Sequence, residues 1–500
     1  MKKIEKEDSY SHIFKYTGIF GGVQGLNILI GVVRNKLVAM ILGPEGMGLI
    51  SLFNSTIKLI SDSSNLGIGM SAVREMSQAY VEGDDENLKR TAKMIRTWSL
   101  LAAILGGLLC IVLSPLLSSC TFSWGNHVLH FMLLSLVVAL TAITGGELAI
   151  LKGMRQLKRL AMISVYGLLG SLLTSIPLYL IWKEAAIVPS LIIMALLQML
   201  FTITYSYRLL PLDLKMVNRR LLGEGKGMIR LGSAFVLAGM FGSGAEFLIR
   251  SYLNHVGGLE VVGLYNAAYV MTLTYAGIVF QAMETDYFPR LSSVCHDIGK
   301  LNMVVNRQIE VSLLLVSPLL AFFIVGAPVL LPLLYSGKFM SMIGMLKITV
   351  FAMYIRAVVL PIEYISLSKG DSWNYLVVEL FYDLIIVLYV IVGFRWGGLN
   401  GTGVSLLLAG ACNLLFVLIF MRIKYGYRIS ASVVLYACLQ IPWGILAYVE
   451  TFCLEGIAYW VVGGCLCLVS FLISLGVLYR KAPAVLDKLV LKIKSRFTHG

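Results

Sequence analysis

Charge is scarce in this chain of 500 residues. Asp, Glu, Lys and Arg supply 14% of it against 58% apolar residues, and the mean hydropathy is +0.84. A soluble globule is excluded, because apolar stretches long enough to cross a bilayer recur throughout. Acid is scarcer than base, 27 residues against 41; the excess lies in loops and tails suited to anionic lipid, so no nucleic-acid partner is expected. The polar start, Met1 to Tyr16, leads into an apolar stretch too long for a removable signal peptide and without its small-residue cleavage site. Eight cysteines show no C-x-x-C spacing and read as apolar fillers; Cys120 and Cys453, both near outer ends of spans, are the two placed to pair. Six histidines form no metal-ligand set, since His127 and His130 share a helix face without a third ligand. Gly397 to Gly403 has the glycines of a phosphate loop but no lysine after them, and reads as a tight turn. Neither a catalytic residue nor a metal or cofactor is expected.

Allowing about 20 apolar residues per crossing, fourteen spans are expected: 16–42, 46–66, 97–119, 127–150, 160–182, 186–206, 232–254, 260–283, 309–335, 340–366, 372–394, 399–421, 431–449 and 457–479. The expected organisation is an amino-terminal lobe 1–207, a cytoplasmic linker 208–230, a carboxy-terminal lobe 231–424, two extra spans within 425–480 and a basic tail 481–500. Outer connections are short everywhere, which argues against a membrane-bound glycosyltransferase, ligase or polymerase. The longer hydrophilic stretches are Glu75 to Arg96 and Arg208 to Arg230. Of the 41 basic residues, 35 lie outside the spans. With a cytoplasmic amino terminus, 32 of those face inward and only Lys183, Lys338 and Arg395 face outward. Short basic loops resist translocation, so both termini are placed inside. The tail alternates Val485, Leu486, Leu489, Val490 and Ile493 with lysines, the pattern of a helix lying on the membrane surface.

Six cations remain within spans: Arg34, Lys36, Lys58, Arg250, Lys347 and Arg356. A charge at that depth costs roughly 2.5–3.5 kcal/mol on insertion scales, which makes these positions functional candidates. Lys58 with Asp62, and Arg250 with Glu246, are four apart and open to local pairing. Arg34, Lys36 and Arg356 have no carboxylate three or four positions away; each must find a partner on another helix, a headgroup or a substrate, and Arg356, near mid-span, ranks first. Of the intramembrane acids Glu147, Glu246, Glu284, Asp286, Glu310, Glu363, Glu379 and Asp383, several lie near inner boundaries, where headgroup exposure suffices. Glu379 and Asp383 are like charges four apart, which favours sharing a proton or a cation, so coupling to H⁺ or Na⁺ stands beside pairing with neighbouring cations. Glu363, seven beyond Arg356, shares its helix face.

The halves echo each other. Gly43-Pro44-Glu45-Gly46-Met47-Gly48-Leu49 follows Arg34, and Gly257-Gly258-Leu259-Glu260-Val261-Val262-Gly263-Leu264 follows Arg250, with Gly48 and Gly263 215 positions apart; Lys152-Gly153 and Lys369-Gly370 repeat at 217. Two six-span repeats of one orientation are expected, related by an axis along the membrane normal. Glycine-rich spans 1 and 7 read either as tight packing or as bending helices.

The opening through Leu42 to Leu49 resembles that of Wzx-type polysaccharide flippases in the MATE-like (MOP) exporter superfamily. Leu333-Leu334-Tyr335-Ser336-Gly337-Lys338-Phe339, with Met342, is similar to an outer turn of O-antigen and enterobacterial common antigen translocases. The likeness in organisation covers residues 13–421. It implies an all-α, V-shaped transporter in the bacterial inner membrane that carries an undecaprenyl-pyrophosphate-linked oligosaccharide to the periplasmic leaflet by alternating access. It also implies membrane lipids and polysaccharide polymerase or assembly proteins as partners. Such a cargo needs cations for its pyrophosphate, for which Arg34, Lys36, Lys58, Arg250 and Arg356 are candidates, with Glu363, Glu379 and Asp383 for the coupling ion. Twelve spans are common in the family; fourteen are similar to the lipid II flippase branch. A cation-coupled multidrug antiporter, which would want an acidic or aromatic cavity, is the alternative.

Overall fold

The computed structural model describes residues 2–212, 226–277, 280 and 287–481. Among these are twelve α-helices and no strand. They are α1 Lys2–Ser64, α2 Ile68–Glu82, α3 Asp85–Thr121, α4 Val128–Gly153, α5 Leu157–Trp182, α6 Ile187–Tyr207, α7 Lys226–Val270, α8 Ile298–Leu334, α9 Ile343–Ser368, α10 Ser372–Tyr425, α11 Ala431–Cys453 and α12 Gly456–Lys481. Among the described residues ten runs are long and apolar enough to cross a membrane. Four of them, Gly25–Ser64, Leu157–Tyr207, Val236–Leu273 and Ser372–Tyr425, are 38 to 54 residues long. A straight helix of 40 residues would span about 60 Å, twice the ~30 Å hydrocarbon core. Each of the four is instead broken near its middle, at Gly43, Lys183, Gly258 and Gly397–Gly398. Counted as crossings, the runs give the fourteen expected, and the chain is an all-α, multi-pass membrane protein. In α10 the break reverses the chain, with Ser405 Oγ donating to the Tyr389 carbonyl at 2.6 Å.

The breaks carry the internal repeat. Gly43 (φ 67°, ψ −170°) and Gly258 (φ 79°, ψ 179°) lie 215 positions apart. Lys183 (φ 47°, ψ −125°) and Gly398 (φ 55°, ψ −137°) are separated by the same interval, as are Arg155 and Gly370, both at positive φ. The backbone thus sets Arg155, not Gly153, against Gly370, and one offset serves the whole repeat.

Two compact units divide the chain. The first is Met1–Gly263 with Leu333–Lys338, and the second is Leu264–Pro332 with Phe339–Gly500. In the first, the hydrophilic stretch from Glu75 is largely helical. It forms the end of α2 and the start of α3, where Asp84 caps the first turn by accepting from the Glu86 amide at 3.0 Å. The other face of this segment is apolar: Ile68, Ala72 and Met76 pack with Ile95, Ala149 and Ile150 in one buried cluster. Beside it Arg96 and Glu147, 9% and 2% exposed, pair at 2.8 Å. Headgroup exposure is therefore not what supports Glu147. In the second unit Glu310 is likewise paired, with Lys481, and Tyr459 Oη donates to the Val325 carbonyl at 2.5 Å, so α12 is fastened to α8 at both sites. Cys120 and Cys453 are free and exposed. Glu284, Asp286, linker residues 213–225 and the basic tail from 482 lie outside the described residues.

Candidate functional site

In the second unit a cavity of about 360 Å³ opens between α9, both halves of α10 and the end of α7. Arg356, Glu363 and Glu379 all line it. The first two are seven residues apart on α9, two turns of one face. Pro361 lies between them and has no N–H for the Ala357 carbonyl, so the ladder is interrupted beside Arg356. Arg356 is exposed to the cavity, while Glu363 and Glu379 are half-buried. Asn413, from the second half of α10, donates through Nδ2 to Glu363 Oε1 at 3.0 Å, and Tyr375 is hydrogen-bonded to Glu379. Tyr375, Glu379 and Tyr382 all line the cavity; their i, i+4, i+7 spacing on α10 is the signal that could have found the two tyrosines in the sequence. Asp383, four residues beyond Glu379, is not among the lining residues. The arrangement sets one guanidinium against two carboxylates in a tyrosine-rich chamber. It can take an anion at Arg356 or a small cation between the acids.

The other pyrophosphate candidates belong to the first unit, while Lys347 is half-buried in the second. Lys58 does not stay with its local partner Asp62: its ammonium reaches Glu246 Oε1 at 2.8 Å, while Arg250 Nη1 holds Glu246 Oε2 at 3.1 Å. One carboxylate thus bridges two cations from α1 and α7. Arg250 Nε also donates to Ser51 Oγ at 2.8 Å, and Asp62 lies against Gly239. Lys58 remains about half exposed. Arg34 donates to the Met194 sulfur at 3.3 Å beside Tyr179, whose hydroxyl shares a 2.6 Å hydrogen bond with Ser190. Its Nε is buried without a partner among the described residues. Lys36 is half-buried.

This fold has counterparts among known proteins. The sequence profile of the polysaccharide biosynthesis proteins matches residues 37–344, more than half of the chain. The chain belongs to that family. Comparison with curated proteins found no match. Among solved structures, this family member is similar to an inward-facing multidrug-resistance MATE transporter of the MOP superfamily, with TM-score 0.67 and 16% identity over 80% of this chain and 94% of that one. It is also similar to the lipid II flippase MurJ in an inward closed conformation, with TM-score 0.62 and 13% identity over 93% of this chain and 99% of that one. A MOP-superfamily transporter from Pyrococcus furiosus, noted for reversed polarity of its binding pocket, matches with TM-score 0.55 and 16% identity over 81% and 94% of the two chains. At these identities the likeness establishes the fold.

Proposed function

We propose that this protein is a flippase that moves an undecaprenyl-pyrophosphate-linked oligosaccharide from the cytoplasmic to the periplasmic leaflet of a bacterial inner membrane, by alternating access and with both termini cytoplasmic. The observation that carries the reading is Arg356, exposed to a cavity among membrane-spanning helices in a member of a polysaccharide biosynthesis family. A pyrophosphate crossing hydrocarbon must exchange its water for other strong donors, and a guanidinium offers a planar fork that pairs with two phosphate oxygens. Glu363 and Glu379 neutralise Arg356 between cargoes, or hold the H⁺ or Na⁺ that resets the cycle. Arg34 and the Lys58–Glu246–Arg250 cluster supply further positive charge. On this reading no bond is made or broken in the substrate, and the protein is a transporter rather than an enzyme.

The two carboxylates and the tyrosines of the same cavity favour a second reading, cation-coupled export of organic cations. Leaflet-resolved labelling separates the two. Cells depleted of the protein receive radiolabelled undecaprenyl-linked glycan, and a periplasmic glycan-modifying enzyme reports how much reaches the outer leaflet. Accumulation confined to the inner leaflet supports the flippase; normal translocation with increased sensitivity to cationic drugs supports the antiporter.

A further inference from the structure

The first unit holds a second, larger cavity, about 710 Å³, between both halves of α1 and helices α4, α5 and α6. We propose that it is a subsite for uncharged sugar rings, one that receives part of the glycan; the inference rests on the flippase reading above. Its volume is that of a small-molecule site. Its polar lining differs in kind from the Arg356 cavity. Asn27, Asn54, Gln198, Thr141 and Ser164 contribute amides and hydroxyls, and among the described residues Lys152 is the only charged side chain in the lining. With no carboxylate there, an organic cation meets no counter-charge; with one ammonium, a pyrophosphate gains little. A sugar hydroxyl both donates and accepts, and so does a side-chain amide.

Two of the amides are fixed in the cavity wall. Asn27 Nδ2 donates to Ser164 Oγ at 2.8 Å, which leaves Oδ1 buried and without a donor among the described residues. Gln198 lies flat on α5, where a Cβ at Gly167 would come within 1.9 Å of its Oε1. Glycine at that position is what lets the amide sit in the cavity wall. Aliphatic side chains such as Ile57, Leu160 and Leu191 complete the lining and suit the C–H faces of a pyranose.

The test is direct binding by the full-length protein in lipid nanodiscs, with maltose and N,N′-diacetylchitobiose as neutral probes, rhodamine 6G as the cationic one, and saturation-transfer NMR as the readout. At least one disaccharide is expected to bind in the millimolar range, with Asn27→Leu and Gln198→Leu each weakening it about tenfold. The nearly isosteric Gln198→Glu variant guards against misfolding: it should also weaken the sugar and gain affinity for rhodamine 6G. No saturation transfer to either disaccharide, or transfer unchanged by all three substitutions, would overturn the subsite. The measurement does not involve translocation. Sugar binding in a protein whose depletion leaves glycan crossing normal would refute the flippase and keep the site, and the reverse pattern would refute the site alone.

Discussion

Gly48 and Gly263 press reciprocally into each other's helices. A Cβ on Gly48 would stand 2.0 Å from the Leu259 carbonyl oxygen, and one on Gly263 would stand 1.9 Å from that of Pro44. Each carbonyl lies four residues before the opposing glycine, and the two glycines are 215 positions apart, the offset that also relates the helix breaks at Gly43 and Gly258. A contact in which equivalent residues of two repeats touch each other's equivalents is what local two-fold symmetry produces. Without a side chain at the crossing the backbones approach closely, as helices in lipid favour.

Alanine at either glycine is therefore expected to destabilise the protein. Alanine favours a helix by up to about 1 kcal/mol over glycine, but here the new methyl meets backbone that cannot rotate away, and overpacking of this kind costs roughly 1–3 kcal/mol. Gly48→Ala and Gly263→Ala should each lower the melting temperature of the detergent-purified protein. The double variant should lose less than the sum, because one displacement of the helices relieves both clashes. Melting at or above the wild-type temperature for either single variant would contradict the close approach.

Lys183 is expected to be a strained position that glycine relieves. It adopts nearly the same dihedrals as Gly398, its repeat counterpart, at φ 47° and ψ −125°, where an L side chain is disfavoured by roughly 1–3 kcal/mol. Glycine loses about 0.5–1 kcal/mol of this through its freer unfolded chain. Lys183→Gly should thus raise stability by about 1 kcal/mol in thermal or denaturant unfolding, a gain a merely surface-exposed lysine would not give.

Arg96 and Glu147 predict the opposite. Arg96 donates through Nε and Nη2 to the two carboxylate oxygens, and also to the carbonyls of Leu210 and Pro211, while Ser206 Oγ donates to Glu147 Oε2 at 2.6 Å. The pair thereby ties α3, α4 and the end of α6 together. Removing one partner of a buried pair leaves a charge unpaired, a loss of roughly 3–5 kcal/mol. Glu147→Leu and Arg96→Met should each unfold at clearly lower denaturant, and the double variant should recover part of the loss. Losses that simply add in the double variant would mean that the carbonyls of Leu210 and Pro211, not the carboxylate, are what Arg96 serves.

Much of this molecule was legible in its residues, and the exceptions have physical causes. Crossings follow from apolar length, and Gly43, Gly258 and Gly397–Gly398 sit where expected turns divide the double-length runs. The shared face of Arg356 and Glu363 follows from helical periodicity. Periodicity says nothing about which helix stands opposite, so the link from Lys58 to Glu246, 188 residues away, displaced the local pairing with Asp62. The Arg96–Glu147 pair, 51 residues apart, was hidden for the same reason, since each alone reads as a boundary charge. Glu379 and Asp383 share a face by spacing, yet only Glu379 lines the cavity, because a helix four residues on has turned by some 40°.

Arg356 carries the sharpest prediction. Its side chain lines the cavity with Glu363 and Glu379, so substitution separates a binding role from a structural one. If the guanidinium pairs with pyrophosphate, Arg356→Ala should abolish glycan appearance in the periplasmic leaflet while protein abundance and melting temperature stay near wild type. Arg356→Lys, which keeps the charge but not the fork, should restore only part of the activity. If Arg356 instead serves only to neutralise the two acids, then Arg356→Ala combined with Glu363→Gln and Glu379→Gln should flip normally, since no charge is left to balance. Recovery in that triple variant would move the pyrophosphate contact to Arg34 or to the Lys58–Glu246–Arg250 cluster. Continued loss, with Glu363→Gln alone retaining transport, would leave Arg356 as the group that meets the cargo.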